Sequence, residues 1–392
     1  MAITDHVVFN DKALERKWAG KRVPMERFYE AYFAGDIDIP GDIYAFLNDR
    51  DSYVKNTLTR EHFRWAITKF VPEATIHSKS QDERIVREHY DRGDDFFGWF
   101  LGERMVYTSA FFENRGQSLE QGQDNKMNLV CKKLQLQPGE RLLDIGCGWG
   151  TLTRHAAKHY GVDATGVTIS ENQTAFGNKR IADWDLSDRA RILCKDYRDI
   201  PKQKYDKIVS LEMVEHVGVK NLVSFYEQVG DLLTDEGLFL LQWTGLRRGI
   251  RAEDFIWIMF MGKYIFPGAD ASLSPSAMLR AMEKAGWESH SMENVSTHYA
   301  WTIRHWHDNW LSNREAVTAA YGDRWFRIWH FFLAWSSIIA QQGNAACFQV
   351  VLNKNINSYD RTRWIEKKAT ILGDRETDLN PPANGGNGRA WA

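Results

Sequence analysis

The stretch LLDIGCGWGTL, residues 142–152, limits what this chain can fold into more than any other. Leu142 and Leu143 lead into Asp144 as a buried strand leads into a polar edge. Gly146, Gly148 and Gly150 then alternate before an amphipathic segment. Glycine adopts the left-handed backbone that a tight strand-to-helix turn requires, and lacking Cβ it admits a ligand close to the main chain. Short apolar runs, RLLDIG, ATGVTIS, RILCKD, DKIVSLEM and GLFLLQW, recur between helical segments. That alternation predicts an α/β fold with a parallel sheet wrapped on both faces. One helix can be read by its face, because Leu222, Phe225, Val229 and Leu232 recur at helical spacing. The segments ESHSMENVSTHY (288–299) and CFQVVLNKN (347–355) read as closing strands, separated by a long aromatic helical insertion.

The glycine spacing departs from the dinucleotide fingerprint, and no acidic residue ends the second strand about 20 residues on, where a nicotinamide ribose would need one. That strand ends at Thr168, with Gln173 close behind, so a hydroxyl and an amide can hold ribose hydroxyls. The next strand ends in KDYRD (195–199), which offers Asp196 to accept from an adenine amino group and Tyr197 to flank the ring. Asp144 can orient a cationic or hydroxylated ligand through its carboxylate.

A formal charge of -2 without a long basic run leaves no electrostatic footprint for nucleic acid. Cys131, Cys147, Cys194 and Cys347 are widely spaced and form no CxxC pair, so neither a disulfide framework nor a zinc site is indicated, and no metal is expected. The start lacks the basic, apolar, small-residue order of a secretory signal. No stretch reaches the roughly 18 apolar residues of a spanning helix. FIWIMFM (255–261) and FFLAWSSIIA (331–340) come nearest, and both read as buried helices. The 16 tryptophans and 21 phenylalanines concentrate at 96–112, 255–266 and 301–333, a density that suits an apolar substrate pocket. Four regions are expected: a helical N-terminal extension (1–80), a cofactor lid with the α/β core (81–245), an acceptor-side insertion with the final strands (246–356), and a mobile polar tail (357–392).

DIGCGWG, followed by GVTISxxQ and a strand ending DYRD, resembles the S-adenosylmethionine (SAM) site of the cyclopropane-fatty-acyl-phospholipid synthase family. EHYDRGDDFFGWFLGERMVYTSAFF (88–112) is similar to that family's N-terminal lid, EMVEHVG to its active-site loop and KYIFPGAD (263–270) to its substrate side. RVPMERFYEAYFAGDIDIPGD, RILCKDYRDIP and FPGADAS resemble the fungal sphingolipid C9-methyltransferases within it. The resemblance implies a Rossmann-like class I SAM-dependent methyltransferase fold with a seven-stranded doubly wound sheet, a helical lid and an aromatic insertion. It implies SAM as methyl donor and S-adenosylhomocysteine (SAH) as product. Asp144, Gly146 and Gly148 would lie against the cofactor, Thr168 and Gln173 on its ribose, Asp196 and Tyr197 on its adenine. Tyr90, Tyr107 and Thr108 would close over its methionine end. Ser109, Gln242, Tyr264, His298, Tyr299, Phe331 and Phe332 would face the acceptor.

Two carboxylates and an imidazole, Glu212, Glu215 and His216, follow the fourth core strand in SLEMVEHVG, at the edge where open α/β sheets bind ligands. A helical loop would put all three on one face. The family places its active-site carboxylate at Glu215. Methylation of an alkene develops a carbocation, which Glu215 would support, while His216 or Glu212 assists proton removal. Loss of a proton from the new methyl closes a cyclopropane; loss from the chain carbon leaves a methyl branch. Cyclopropane synthases of the family use bicarbonate as base, held by a histidine, a tyrosine and the loop glutamate near a cysteine. Here those positions are Gln242, Phe331 with Phe332, Glu215 and Ser109, so neither ring closure nor bicarbonate is expected. Plant alkaloid N-methyltransferases resemble the same loop as ExxEH, which keeps a diffusible amine or other small acceptor open as an alternative, alongside a non-catalytic SAM-binding role. The fungal sphingolipid enzymes carry membrane-spanning segments before the shared region. The expectation is therefore a cytoplasmic protein that meets its lipid at the membrane periphery or acts on a diffusible substrate.

Overall fold

Seven strands form the main sheet of the computed structural model, which describes residues 3–65, 68, 93–267 and 273–365. In chain order they are β1 (Arg141–Ile145), β2 (Asp163–Thr168), β3 (Ala190–Cys194), β4 (Tyr205–Leu211), β5 (Leu233–Leu246), β6 (Trp287–Asn294) and β7 (Ala345–Lys354). Their order across the sheet is β6-β7-β5-β4-β1-β2-β3. The first five pair in parallel, and their interior residues are nearly all buried, as expected of strands covered on both faces. β7 departs from the expected parallel sheet: it runs antiparallel to both β5 and β6. The cause lies in the connection. Ala345 pairs with Leu246, at the carboxyl end of β5, so the chain re-enters the sheet from that edge and must run backwards.

The closing strand expected over 288–299 stops at Asn294. Its side chain accepts from the Ser296 amide at 2.9 Å, and the helix Ser296–Ser312 begins there, so His298 and Tyr299 are helical. The helix Leu222–Leu232 buries Leu222, Phe225, Val229 and Leu232 on one face, as its spacing predicted.

The helices that cap the carboxyl edge share one aromatic cluster. Met25–Ala34, Asp94–Leu101, Ala252–Tyr264, Ser296–Ser312 and Asp323–Gln341 contribute to it, so the N-terminal segment packs into the same core as the insertion. Phe96 meets Trp310 at 5.3 Å and Trp329 at 4.9 Å edge to face, and Tyr29 lies 6.0 Å from Phe331. Arg50, 3% exposed, donates to Glu253 at 2.8 Å and to Gln342 at 2.9 Å, tying that segment to the helix Ala252–Tyr264 and to the end of the helix Asp323–Gln341. FIWIMFM and FFLAWSSIIA lie within these helices and are mostly buried. Among the described residues no helix is long and apolar enough to cross a membrane.

The tail expected to be mobile from 357 is docked at its start. Tyr359 is buried, and Trp364 stacks on His290 at 3.9 Å, because two aromatics in an otherwise polar run find apolar surface beside β6. Residues 366–392 lie outside the described residues.

Phe225 is 2% exposed and meets the Tyr197 ring at 5.5 Å edge to face, so Phe225→Ala removes a fully buried ring beside the carboxyl edge. Urea unfolding should show a loss of about 3–5 kcal/mol. A loss below about 1 kcal/mol would mean the helix face is not part of the core.

Candidate active site

The carboxyl ends of β1, β2, β3 and β4 surround a cleft of about 1140 Å³, part of it open to solvent. The turn after β1 forms its floor. Gly146 has φ 79°, and a Cβ there would meet the Met213 Cβ at 2.6 Å; Gly148 has φ 54°, and a Cβ there would meet nothing within 4 Å. The first glycine is required by protein packing, whereas the second faces open space that a ligand can fill. Trp149, between Gly148 and Gly150, donates from Nε1 to Asp94 Oδ1 at 2.7 Å, which fastens the helix Asp94–Leu101 over the cleft. Thr151 Oγ1 donates to the Arg104 carbonyl at 2.7 Å, holding the segment that carries Tyr107 and Thr108 to the rim.

Asp144 is buried at the cleft wall. Thr153 Oγ1 donates to its Oδ2 at 2.9 Å, and burial pushes its carboxyl up to about 6. Thr168 Oγ1 donates to Gln173 Oε1 at 2.6 Å, which leaves the amide nitrogen of Gln173 as the donor end of the pair. Arg198 grips Asp196 with Nε on Oδ1 at 2.7 Å and Nη2 on Oδ2 at 2.8 Å, and its amide also donates to Oδ1 at 2.8 Å, which fixes the carboxylate plane.

A second cavity, of about 1220 Å³ with its opening included, adjoins the first. Trp257, Ile258, Met261, Ile303, Trp306 and Phe332 make its walls apolar. Tyr107, Glu212 and His216 line both cavities, and Glu215 lines the second, so the acidic cluster sits at the junction.

The cluster is not one helical face, because Glu212 precedes the short 3-10 turn Val214–His216 and has φ 56°. Its amide donates to the Gln242 carbonyl at 2.8 Å, and this left-handed residue turns its carboxylate into the junction. That carboxylate is saturated with donors. Ser109 N reaches Oε1 at 3.3 Å, Gln242 Nε2 donates to the same oxygen, and Tyr299 OH donates to Oε2 at 2.7 Å. The Cys347 thiol lies 3.7 Å from Oε1. Glu215 is held by one donor, the Thr244 amide at 2.6 Å on Oε1, and its Oε2 is buried without a partner. Burial, and then the neighbouring Glu212 charge, push Glu215 up to about 8. Burial also raises Glu212, against the pull of its donors. One negative charge shared by such a pair resides on the carboxylate with the donors, leaving the proton on Glu215.

Of the residues expected at the cofactor, Tyr107, Thr108, Asp144, Gly146, Gly148, Thr168, Gln173, Asp196 and Tyr197 all line the first cavity; Tyr90 lies outside the described residues. On the acceptor side, Tyr299 and Phe332 line the second cavity. The other five do not reach its wall. Tyr264 donates its hydroxyl to Glu30, and Phe331 is packed among Tyr29, Phe33 and Phe260. His298 Nδ1 accepts from the Phe112 amide at 3.1 Å, and the Ser109 hydroxyl donates to the Ala110 carbonyl at 2.9 Å. Gln242 stands one layer behind, on Glu212. These orientations give bicarbonate none of the expected ligands beyond Glu215. Lys126 escaped the sequence reading. It falls on the buried stripe Leu119, Gln123, Lys126, Met127, Val130, lines the cleft and donates to Thr108 Oγ1 at 2.7 Å; burial lowers it to about 8. A lysine on the apolar face of a helix was the available signal.

A family model described as mycolic acid cyclopropane synthetase matches residues 77–350. The chain belongs to that family. It is 47% identical over 390 residues to the sphingolipid C9-methyltransferase of Komagataella phaffii, covering 96% of this chain and 80% of that protein. It is also 47% identical over 384 residues to sphingolipid C9-methyltransferase A of Emericella nidulans, covering 96% and 74%. Among solved structures, the cyclopropane synthase MmaA2 from Mycobacterium tuberculosis matches with a TM-score of 0.67 and 29% identity, over 69% of this chain and 98% of that one. The mycolic acid cyclopropane synthase CmaA1, complexed with SAH and CTAB, matches with a TM-score of 0.67 and 27% identity, over 71% and 100%. Coclaurine N-methyltransferase reaches the same TM-score at 17% identity, a likeness of fold alone. This member of the synthetase family is a SAM-dependent methyltransferase, and the open face of Gly148 with its ring of polar side chains fits that cofactor.

Gly148→Val should weaken SAM binding at least about a hundredfold in calorimetry, because the branched side chain fills the open face and resists a left-handed φ. Unchanged affinity in a variant that keeps its circular dichroism would show that the cofactor does not approach this turn.

Proposed function

We propose that this protein methylates a carbon of an unsaturated, sphingolipid-like chain and leaves a methyl branch. The observation that carries this reading is the buried acid pair at the junction of a polar-walled cleft and an aromatic, apolar chamber. An alkyl chain gains from such walls, and the two most similar named relatives above are C9-methyltransferases of sphingolipids. Ile250, 53% exposed, and Phe255, 38% exposed, stand beside the exposed Arg248 and Arg251 at the start of the helix Ala252–Tyr264. This mixed apolar and cationic corner suits peripheral contact with a lipid surface.

Bound SAM supplies an electrophilic methyl on a sulfonium. Tyr107, Glu212 and His216, shared by both cavities, align the acceptor double bond with that methyl and keep the junction dry. Transfer of that methyl to one carbon of the acceptor double bond would release SAH and leave a cation on the adjacent chain carbon. Glu212, anchored by its donors, is the fixed charge beside that cation, and the Tyr299 and Trp306 rings add π faces. Glu215 in its ionised form, which the cation on the chain favours, is the base: its Oε2 lacks a donor and its carboxyl is far more basic than an ordinary one. This reverses the roles expected from sequence. The proton leaves a chain carbon, restoring the double bond beside the branch.

Mass spectrometry after turnover with trideuterated-methyl SAM and a ceramide bearing an unsaturated sphingoid base tests the whole reading. Retention of three deuteriums is the expected result. Two would mean ring closure, and a labelled polar amine with unlabelled lipid would move the acceptor class.

The base assignment is tested separately. Glu215→Gln should lower kcat by at least about a hundredfold with little change in SAM affinity. For the unaltered protein, the ionised base gains with pH, so kcat/KM should rise as pH approaches about 8 and then level. A profile flat from pH 6 to 9 would remove Glu215 from that role.

A further inference from the structure

Behind Glu212, three polar residues stand side by side in the sheet. Glu293 of β6 pairs in register with Gln349 of β7, and Gln349 pairs with Gln242 of β5. Lys133, the last residue of the helix Leu119–Lys133, reaches in from outside. Its Nζ donates to Gln349 Oε1 at 2.7 Å and forms an ion pair with Glu293. Gln349 Nε2 donates to Gln242 Oε1 at 2.7 Å, and Gln242 Nε2 donates to Glu212. Lys133, Gln349 and Gln242 are 3%, 2% and 0% exposed, so water cannot substitute for any of these bonds.

The polarity of the series is dictated by its first member. An ammonium only donates, so Gln349 must turn its oxygen toward Lys133 and its nitrogen toward Gln242. Gln242 must then turn its oxygen toward Gln349 and its nitrogen toward Glu212. Either amide rotated by half a turn would place two donors or two acceptors face to face, a buried mismatch worth about 1–3 kcal/mol. The Glu212 carboxylate, which only accepts, demands the same orientation of Gln242 from the other end, so the two ends of the series agree.

We infer that Lys133 and Gln349 are positioning residues, which act through Gln242 to keep a donor on Glu212 and so hold the negative charge at the methyl-transfer junction. The inference rests on the proposed role of Glu212 as the fixed charge beside the cation. The reversed strand β7 is what makes the series geometrically available, because its register sets Gln349 directly opposite Gln242. Neither residue lines either cavity, and neither touches cofactor or acceptor.

The discriminating variant is Gln349→Glu. A carboxylate at that position still accepts from Lys133, so a purely structural role predicts a folded, active protein. The relay predicts otherwise: the new side chain cannot donate to Gln242, whose amide turns its nitrogen outward and presents its oxygen to Glu212. Single-turnover methyl transfer, with SAM and a ceramide bearing an unsaturated sphingoid base in detergent micelles, should slow by at least about 30-fold. The SAM dissociation constant should stay within about twofold of the unaltered protein, as no relay residue lines the cleft. A rate within threefold of the unaltered protein overturns the relay. So does a slow variant whose SAM affinity falls tenfold, since that marks general damage. If Gln349→Glu does not fold, Lys133→Met carries the same test, with a loss of at least about fivefold expected and an unchanged rate overturning it. Glu212→Gln separates the two levels of argument. Were it active, the role of Glu212 would fall. Were it inactive while Gln349→Glu stays active, only the relay would.

Discussion

Two buried carboxylates facing one junction resist carrying two charges at once while no cation is present, and much of the architecture around Glu212 and Glu215 answers that constraint. Isolating a carboxylate from water costs several kcal/mol unless donors replace the solvent. Glu212 receives its donors from three separate parts of the chain: the lid segment through Ser109, β5 through Gln242 and the insertion helix through Tyr299. Glu215 receives one, from the Thr244 amide of β5. In the proposed mechanism the asymmetry divides the pair into a charge and a base. It also ties the site to the fold, because no single element supplies enough donors to do it.

The aromatic shell works in the same direction. Rings from the N-terminal segment, the lid helix and the insertion interlock above the carboxyl edge and give the chamber mostly apolar walls. In that low-dielectric space a charge acts at greater range and an unpartnered carboxylate oxygen stays basic. The many tryptophans and phenylalanines therefore serve two ends: they close a core that the sheet alone cannot cover, and they set the electrostatics of the junction.

The core of the fold was legible because its signals are local. Strand runs, the glycine turn and the stripe Leu222, Phe225, Val229, Leu232 each follow from residues close in sequence, and the cofactor residues follow from the ends of those strands. What failed to show was directional or non-local. β7 reads as a strand, yet its direction depends on where the preceding helices deliver the chain. Ser109, Tyr264, His298 and Phe331 are near the junction in sequence terms, but side-chain direction turns them toward Ala110, Glu30, Phe112 and the ring cluster. The helical face expected of Glu212, Glu215 and His216 failed for one backbone angle. A glutamate at φ 56° cannot be read from residue type, since the left-handed region is uncommon for any residue but glycine.

That angle is the structural reason the proposed roles of the two glutamates differ from those expected from sequence. Had the loop continued as a helix from β4, both side chains would have projected side by side toward the chamber, and neither would have met the donors of the lid. The left-handed turn at Glu212 sets its carboxylate against Gln242, Tyr299 and Ser109, and both glutamates line the apolar cavity, Glu215 with an oxygen that has no donor. A motif with two carboxylates thus specifies an acid–base pair without specifying which member is the base. The backbone decides, and it decides in favour of the residue with fewer hydrogen bonds.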